Sequence, residues 1–290
     1  MIRPRELFAT LDLFPARTPT LPPATHTNSY ALGGRDVLLV EPATPYEDEQ
    51  RAWLAWARAL PSRGRRVVAI VMTHHHEDHV GGLDVLAREL GVETWAHAET
   101  ASRVGRPVDR RLEDGETFVL DGPTPERWQV LHTPGHAPGH VCLFEERTKA
   151  LVVGDMVASV GTILIAPGDG DMAVYLAQLA RLAGVGATVA LPAHGEPIDA
   201  PSAVFTRYVE HRLAREAKVL DAVSENPGAG IQALVASAYA DTPAHVWPIA
   251  QLSLRAHVDK LVQEGRVVAR GEGWAVAPGA RVGSARGDVE

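Results

Sequence analysis

The segment Thr73-His74-His75-His76-Glu77-Asp78-His79 constrains this 290-residue chain more than any other. It directly follows the apolar run Arg66–Met72 (RVVAIVM), which reads as a strand buried on both faces. Any fold must therefore present four imidazoles and an aspartate at the end of an interior strand. Imidazole is the commonest ligand for divalent zinc, and His mixed with Asp suits a hydrolytic site. In an extended loop His74 and His76 fall on one side, where both can grip one metal. Asp78 and His79 begin the next turn and can face a second. His75 alternates away from them and is expected to be solvent-facing or structural. An expression tag is excluded, because the run is internal and follows a strand.

Further candidates lie downstream, each just past a strand or at its edge. His140 closes the stretch His132-Thr133-Pro134-Gly135-His136-Ala137-Pro138-Gly139-His140. Asp155 ends the strand Leu151-Val152-Val153-Gly154, and His194 stands in Pro192-Ala193-His194-Gly195 after the strand Ala187–Leu191. Loops at strand ends are where α/β folds place their sites.

The remaining pattern is layered. Residues up to Thr27 are rich in Pro and Thr and are expected to lie along the surface. Ser29–Leu32 and Val37–Glu41 flank Gly33-Gly34 as a hairpin. Tyr46–Leu60 is acidic at its start and apolar at Trp53, Leu54, Trp56, Ala57 and Leu60, hence an amphipathic helix. Gly82–Leu90 and Asp171–Gly184 read as helices. Val92–Ala96, Trp128–His132, Val141–Phe144 and Ala150–Val153 read as strands. Strands joined first by hairpins and then by helices predict α/β layers around a sizeable sheet core. After Pro201 the texture changes to a long helix, Ser202–Ser224. Helical patterns at Gly230–Tyr239 and Ile249–Glu264 follow, then a Gly-turned hairpin of Arg266–Arg270 and Trp274–Val276, which together make a winged-helix pattern. The expected organisation is a catalytic domain over 1–200, a connecting helix over 201–227, a winged-helix-like domain over 228–280 and a flexible tail over 281–290.

Charge narrows the partners. The net charge of −8 is uneven: residues 1–200 carry 18 Lys and Arg against 26 Asp and Glu, and residues 201–290 carry 10 of each. Neither part is the basic body of a protein that binds nucleic acid through its overall charge. The helix Ile249–Glu264, where a recognition helix would sit, offers Arg255 and Lys260 opposed by Asp259 and Glu264. Duplex DNA is therefore not an expected partner, and the winged helix is expected to cover part of the active-site cleft instead. No window approaches the ~20 apolar residues of a membrane span, and residues 1–23 show no apolar signal-peptide core. The single cysteine, Cys142, excludes an internal disulfide and reads as a buried strand residue. A cytoplasmic location is expected.

The ordered motifs HxHxDH (His74 to His79), GHxPGH (Gly135 to His140), VVGD (Val152 to Asp155) and PAHG (Pro192 to Gly195) resemble the metallo-β-lactamase superfamily over about residues 25–200. The resemblance implies an αββα sandwich with a dinuclear site along one edge. It implies that one metal takes His74, His76 and His140, that the other takes Asp78, His79 and His194, and that Asp155 bridges them. Two zinc ions per chain are the expected cofactor, with iron or manganese as alternatives. Such a pair acidifies a shared water for attack on an acyl or phosphoryl centre, with Asp78 and Asp155 as the catalytic carboxylates. A bridging Asp without a thiol ligand resembles the glyoxalase II, nuclease and thioesterase branches. The winged-helix-like tail resembles the beta-lactamase-like protein 2 group, which includes single-strand endoribonucleases and thioesterases acting on acyl carriers. Val40-Glu41-Pro42-Ala43 departs from the superfamily's common Ile-Asp-Thr-Gly, and Glu41 keeps the charge.

The resulting expectation is a hydrolase of a thioester-type bond in a small or carrier-linked substrate. A single-strand endoribonuclease is the alternative, and acidity of residues 1–200 weighs against it. A DNA-binding regulator and an iron-dependent oxygenase are further possibilities. Tyr175 and His257 are the substrate-binding candidates, with core packing as the competing fate of each. His136 and His132 flank His140 and either orient it or pack the turn. Arg103, Arg106, Arg110 and Arg111 could receive a phosphate, of RNA or of a phosphopantetheine arm, unless they form a solvated mixed face with Asp109, Glu113 and Asp114. The oligomeric state is left open.

Overall fold

Seven strands lie side by side in chain order across the first of two large sheets: β1 (Arg5–Phe8), β2 (Leu11–Arg17), β3 (His26–Leu32), β4 (Asp36–Val40), β5 (Arg66–Val71), β6 (Glu93–His97) and β7 (Arg110–Leu112). The computed structural model describes residues 4–280. The tail expected over 281–290 lies outside them. The first four strands run as antiparallel neighbours, and β4 to β7 pair in parallel through helical crossovers. The crossovers are α1 (Glu47–Ala59), followed by a 3₁₀ turn at Leu60–Arg63, then α2 (Glu77–Val80), α3 (Leu83–Leu90) and α4 (Ala98–Ala101).

The second sheet has the order β13-β12-β11-β10-β9-β8. Its strands are β8 (Thr117–Leu120), β9 (Glu126–His132), β10 (Val141–Glu145), β11 (Ala150–Gly154), β12 (Val189–Pro192) and β13 (Ile198–Asp199). Helix α5 (Met172–Ala183) makes the parallel crossover from β11 to β12.

Alternation along the strands builds three apolar layers. Leu38, Val40, Val71, Val130, Leu143 and Val152 meet between the sheets. Leu39, Ile70 and Met72, facing the other way, pack on Trp53, Leu60 and Leu86 of the first helical layer. Leu151, Val153 and Cys142 pack on Tyr175, Leu179 and Phe205 of the second. This is the expected αββα sandwich.

Helix α6 (Ser202–Glu225) leaves the sandwich and carries α7 (Ile231–Ala238), α8 (Trp247–Gln263) and the hairpin β14 (Val267–Arg270)–β15 (Gly273–Val276). Val219 and Val223 of α6 share an apolar cluster with Leu234, Leu254, Leu261 and Val267 of this winged helix.

The N-terminal segment corrects the expectation of a surface run. Leu11 and Leu13 are buried between the sheets, and Phe14 and Ala16 under α1. Pro15 is tolerated within β2 because β1 pairs only with Leu11 to Leu13, leaving that edge open beyond them. Among the described residues, no helix is long and apolar enough to cross a membrane.

Candidate metal centre

The site lies where β5, β11 and β12 end. β5 stops at Val71, and Thr73 to His76 continue as an extended loop before the turn of α2. Nε2 of His74, Nδ1 of His76 and Nε2 of His136 converge, with separations of 2.9, 3.0 and 3.2 Å. A second group comprises Asp78, His79 and His194. Nε2 of His79 and of His194 lie 3.8 and 3.6 Å from the two oxygens of Asp78.

Asp155 stands between the groups. Its Oδ1 is 3.6 Å from His79 Nε2 and 3.3 Å from His194 Nε2, while its Oδ2 is 3.5 Å from His136 Nε2. Burial opposes ionisation, but His194 and His79 beside it hold the carboxyl well below the usual range.

The imidazole protons are fixed from outside. His76 Nε2 donates to Asp169 Oδ2 at 2.7 Å, His136 Nδ1 to the Leu164 carbonyl at 2.9 Å, and His194 Nδ1 to the His26 carbonyl at 3.0 Å. His79 Nδ1 donates to Glu41 Oε1 at 3.1 Å. Thr73 Oγ1 gives its own proton to Glu41 and so accepts from His74 Nδ1 at 3.0 Å. The inward nitrogens of His74, His76 and His136 therefore present lone pairs. Against burial, the carboxylates of Asp78 and Asp155 favour a proton on His79 and that of Asp155 one on His194, which a cation would displace. Burial and the neighbouring imidazoles keep His74 neutral, its pKa well below the ordinary value, and burial pushes His136 down to about 4.

These residues fit a metal. Ligands at 2.0–2.1 Å in a tetrahedron stand about 3.3 Å apart, close to the spacing of the first three nitrogens. His79 Nε2 and Asp155 Oδ1 are buried with no hydrogen-bond partner, although they face each other. Converging lone pairs and an orphaned carboxylate oxygen are costly without a cation among them.

His140 is displaced from the expected ligand set. Its Nε2 accepts the backbone N–H of Asp155 at 3.1 Å and its Nδ1 donates to Thr133 Oγ1 at 2.8 Å, so neither nitrogen is free. His136 stands in the position expected of it. Two glycines make this possible. Gly135, at φ +125°, presses on the backbone of Tyr175, where a Cβ would approach within 2.4 Å. Gly154, at φ +47°, leaves room for His140 Nε2, which a Cβ would meet at 2.5 Å.

Other expectations are also corrected. The Tyr175 side chain is fully buried, and its hydroxyl donates to the Met156 carbonyl, so it is a core residue supporting the loop after Asp155. His257 is fully buried with Nδ1 3.7 Å from Glu216 Oε2, inside the α6–α8 interface rather than at the cleft. The winged helix does not cover the site. Its 230 Å³ cleft is walled by Leu21, Val160, Ile163 and Leu164, with nothing from α7 or α8. Instead α8 borders the Gly168–Met172 loop that carries Asp169. His132 stacks on His97 with centroids 4.0 Å apart, a structural role. His75 faces Asp169 at 3.4 Å and is half-buried.

Residues 22–194 match the metallo-beta-lactamase superfamily and residues 231–274 the beta-lactamase associated winged helix domain. The chain belongs to the metallo-beta-lactamase superfamily. Among this superfamily's members, it is 29% identical over 245 residues to a beta-lactamase-like protein 2 homolog of Caenorhabditis elegans, covering 83% of this chain and 80% of that one. It is 30% identical over 233 residues to an atrochrysone carboxyl ACP thioesterase of Aspergillus chevalieri, covering 76% and 70%. A metallo-beta-lactamase family protein from Thermus thermophilus superposes with a TM-score of 0.76 at 25% identity, over 94% of this chain and 99% of that one. This superfamily member is a hydrolase.

Glu41 is the carboxylate that sequence reasoning singled out for departing from the superfamily pattern. At φ +59° it points under the site, bonding Thr73 and His79 together. Asp169 was missed. Its signal was weak, a lone acid in the Gly-rich loop Pro167-Gly168-Asp169-Gly170 ninety-three residues from His76.

Proposed function

We propose that the chain is a dinuclear metal-dependent hydrolase that cleaves a thioester-type acyl bond of a small or carrier-linked substrate. The observation that carries this reading is the division of Asp155, one oxygen toward His79 and His194 and the other toward His136. His74, His76 and His136 would hold one metal, Asp78, His79 and His194 the other, and Asp155 would touch both. Zinc suits this neutral-imidazole and carboxylate donor set. Two such ions supply an acidified water and a positive field for the negative charge that develops on a carbonyl oxygen.

The chain's own residues do the rest. Glu41, Thr73, Leu164, Asp169 and His26 fix the ring orientations through the outer nitrogens. Leu21, Ile163, Leu164 and Ala166 form an apolar wall that can seat an acyl group and exclude bulk water. That the Aspergillus relative is named for an acyl carrier thioesterase supports the substrate class.

Metal-loaded protein should release free thiol from an acyl thioester, and Asp155→Ala should abolish the release. Cleavage of single-stranded RNA with no action on thioesters, lost in the same variant, would replace this reading with the ribonuclease.

A further inference from the structure

The basic stretch after α4 is largely neutralised: Arg103, Arg106 and Arg110 are each paired, with Glu99, Asp84 and Glu116, and leave Arg111 alone without an ion pair to a described residue. Helix α6 is different. Arg207 and His211 lie one turn apart on its exposed face, and Arg207 makes no ion pair with any described residue. Both line a cavity of 560 Å³ between α6 and the Ala158–Thr162 loop. This cavity and the metal cleft share Ala158 and Thr162, so the two adjoin across that loop.

The wall between them is held from α6. The Tyr208 hydroxyl accepts the N–H of Ala158 at 3.1 Å and donates to its carbonyl at 3.0 Å. Arg212, buried beneath the loop, donates to Thr162 Oγ1 at 3.3 Å and to the Ile163 carbonyl. Its guanidinium has no carboxylate partner, and its Nε is unpartnered and buried. No acidic residue lines the cavity, whereas the metal cleft carries Asp78 and Asp155. A chain of net charge −8 thus keeps an uncompensated positive pocket beside its cleft. Thr162 Oγ1, which accepts from Arg212, keeps its own proton to donate. With Arg207 and Ser159 it offers several donors to one compact acceptor.

We propose that this cavity is the subsite for a phosphate group on the thiol arm of the substrate, with the thioester itself in the metal cleft. The proposal rests on the thioesterase reading for the arm, though not for the anion. One arginine without an ion pair among the described residues suits one phosphate better than an RNA backbone, which needs a row of cations.

Calorimetric titration of the metal-loaded protein with 4′-phosphopantetheine and with pantetheine tests it without any turnover. The phosphorylated arm should bind about tenfold more tightly, the worth of one charge-assisted contact. Arg207→Glu, at an exposed position away from the core, should erase that preference and leave pantetheine binding unchanged. Equal binding of the two arms, or a preference that survives Arg207→Glu, would overturn the subsite. Acyl thioesters of both arms separate the two claims. Hydrolysis without phosphate preference sinks the subsite and spares the thioesterase. Phosphate-dependent binding without hydrolysis does the reverse.

Discussion

The backbone N–H of Asp155 donates to Nε2 of His140 at 3.1 Å. That bond makes the second imidazole of the Pro-Gly-His pair a support for Asp155 and leaves the first, His136, to face the candidate metal site. His136→Asn should therefore cost about one metal equivalent per chain, since it removes a ligand. His140→Gln keeps an acceptor for the Asp155 N–H and should retain both equivalents. Elemental analysis of the two variants decides between them, and loss of metal from His140→Gln alone would reverse the assignment.

Glu41 receives both His79 Nδ1 and Thr73 Oγ1, and through Thr73 it also orients His74. It touches one imidazole of each group without facing the cleft. Glu41→Gln should weaken metal binding about 10- to 100-fold, the usual cost of losing a partner behind a ligand. Competition with a chromophoric chelator measures this, and unchanged affinity would refute it.

Much of this site was legible because its chemistry is local. The strand Arg66–Met72 and the loop behind it predict His74, His76, Asp78 and His79 without any tertiary information. The choice between His136 and His140 was not legible. Both follow Pro-Gly, and what separates them is the contact of Gly135 with the Tyr175 backbone and of Gly154 with His140. Strand β2 was hidden by Pro15 and the Pro- and Thr-rich run after it, which mask the alternation of Leu11, Leu13 and Phe14. Asp169 and Arg212 reach the site from distant segments, and no spacing announces such a contact.

Glu216 joins the winged helix to α6. It accepts from Lys260 at 3.0 Å and lies 3.4 Å from Arg266. Burial opposes its ionisation, but His257 beside it and the hydrogen bond from Lys260 lower its pKa below the ordinary 4.5. A carboxylate depressed in the folded state contributes stability above pH 4.5, and that contribution is lost as pH falls through the folded value. Glu216→Gln should cost about 1 kcal/mol at neutral pH by removing one of the two carboxylates that hold the buried Lys260, the other being Glu264. Thermal unfolding of both proteins should show the gap closing in acid. A gap independent of pH would contradict the ion pair's role.

Cys142 is fully buried on β10, and burial pushes its thiol up to about 12. It should resist a thiol-specific disulfide reagent in the native state and react fully in denaturant. Rapid native labelling would show that the second sheet opens.

Asp155 is proposed to bridge two metals, one of them held by His136. Anomalous diffraction from a zinc-soaked crystal, collected at the zinc edge, tests it most directly. Two peaks should flank the Asp155 carboxylate, one bonded to His74, His76 and His136 and the other to Asp78, His79 and His194, with His140 on neither. A single peak in a zinc-saturated crystal, or a peak ligated by His140, would contradict it.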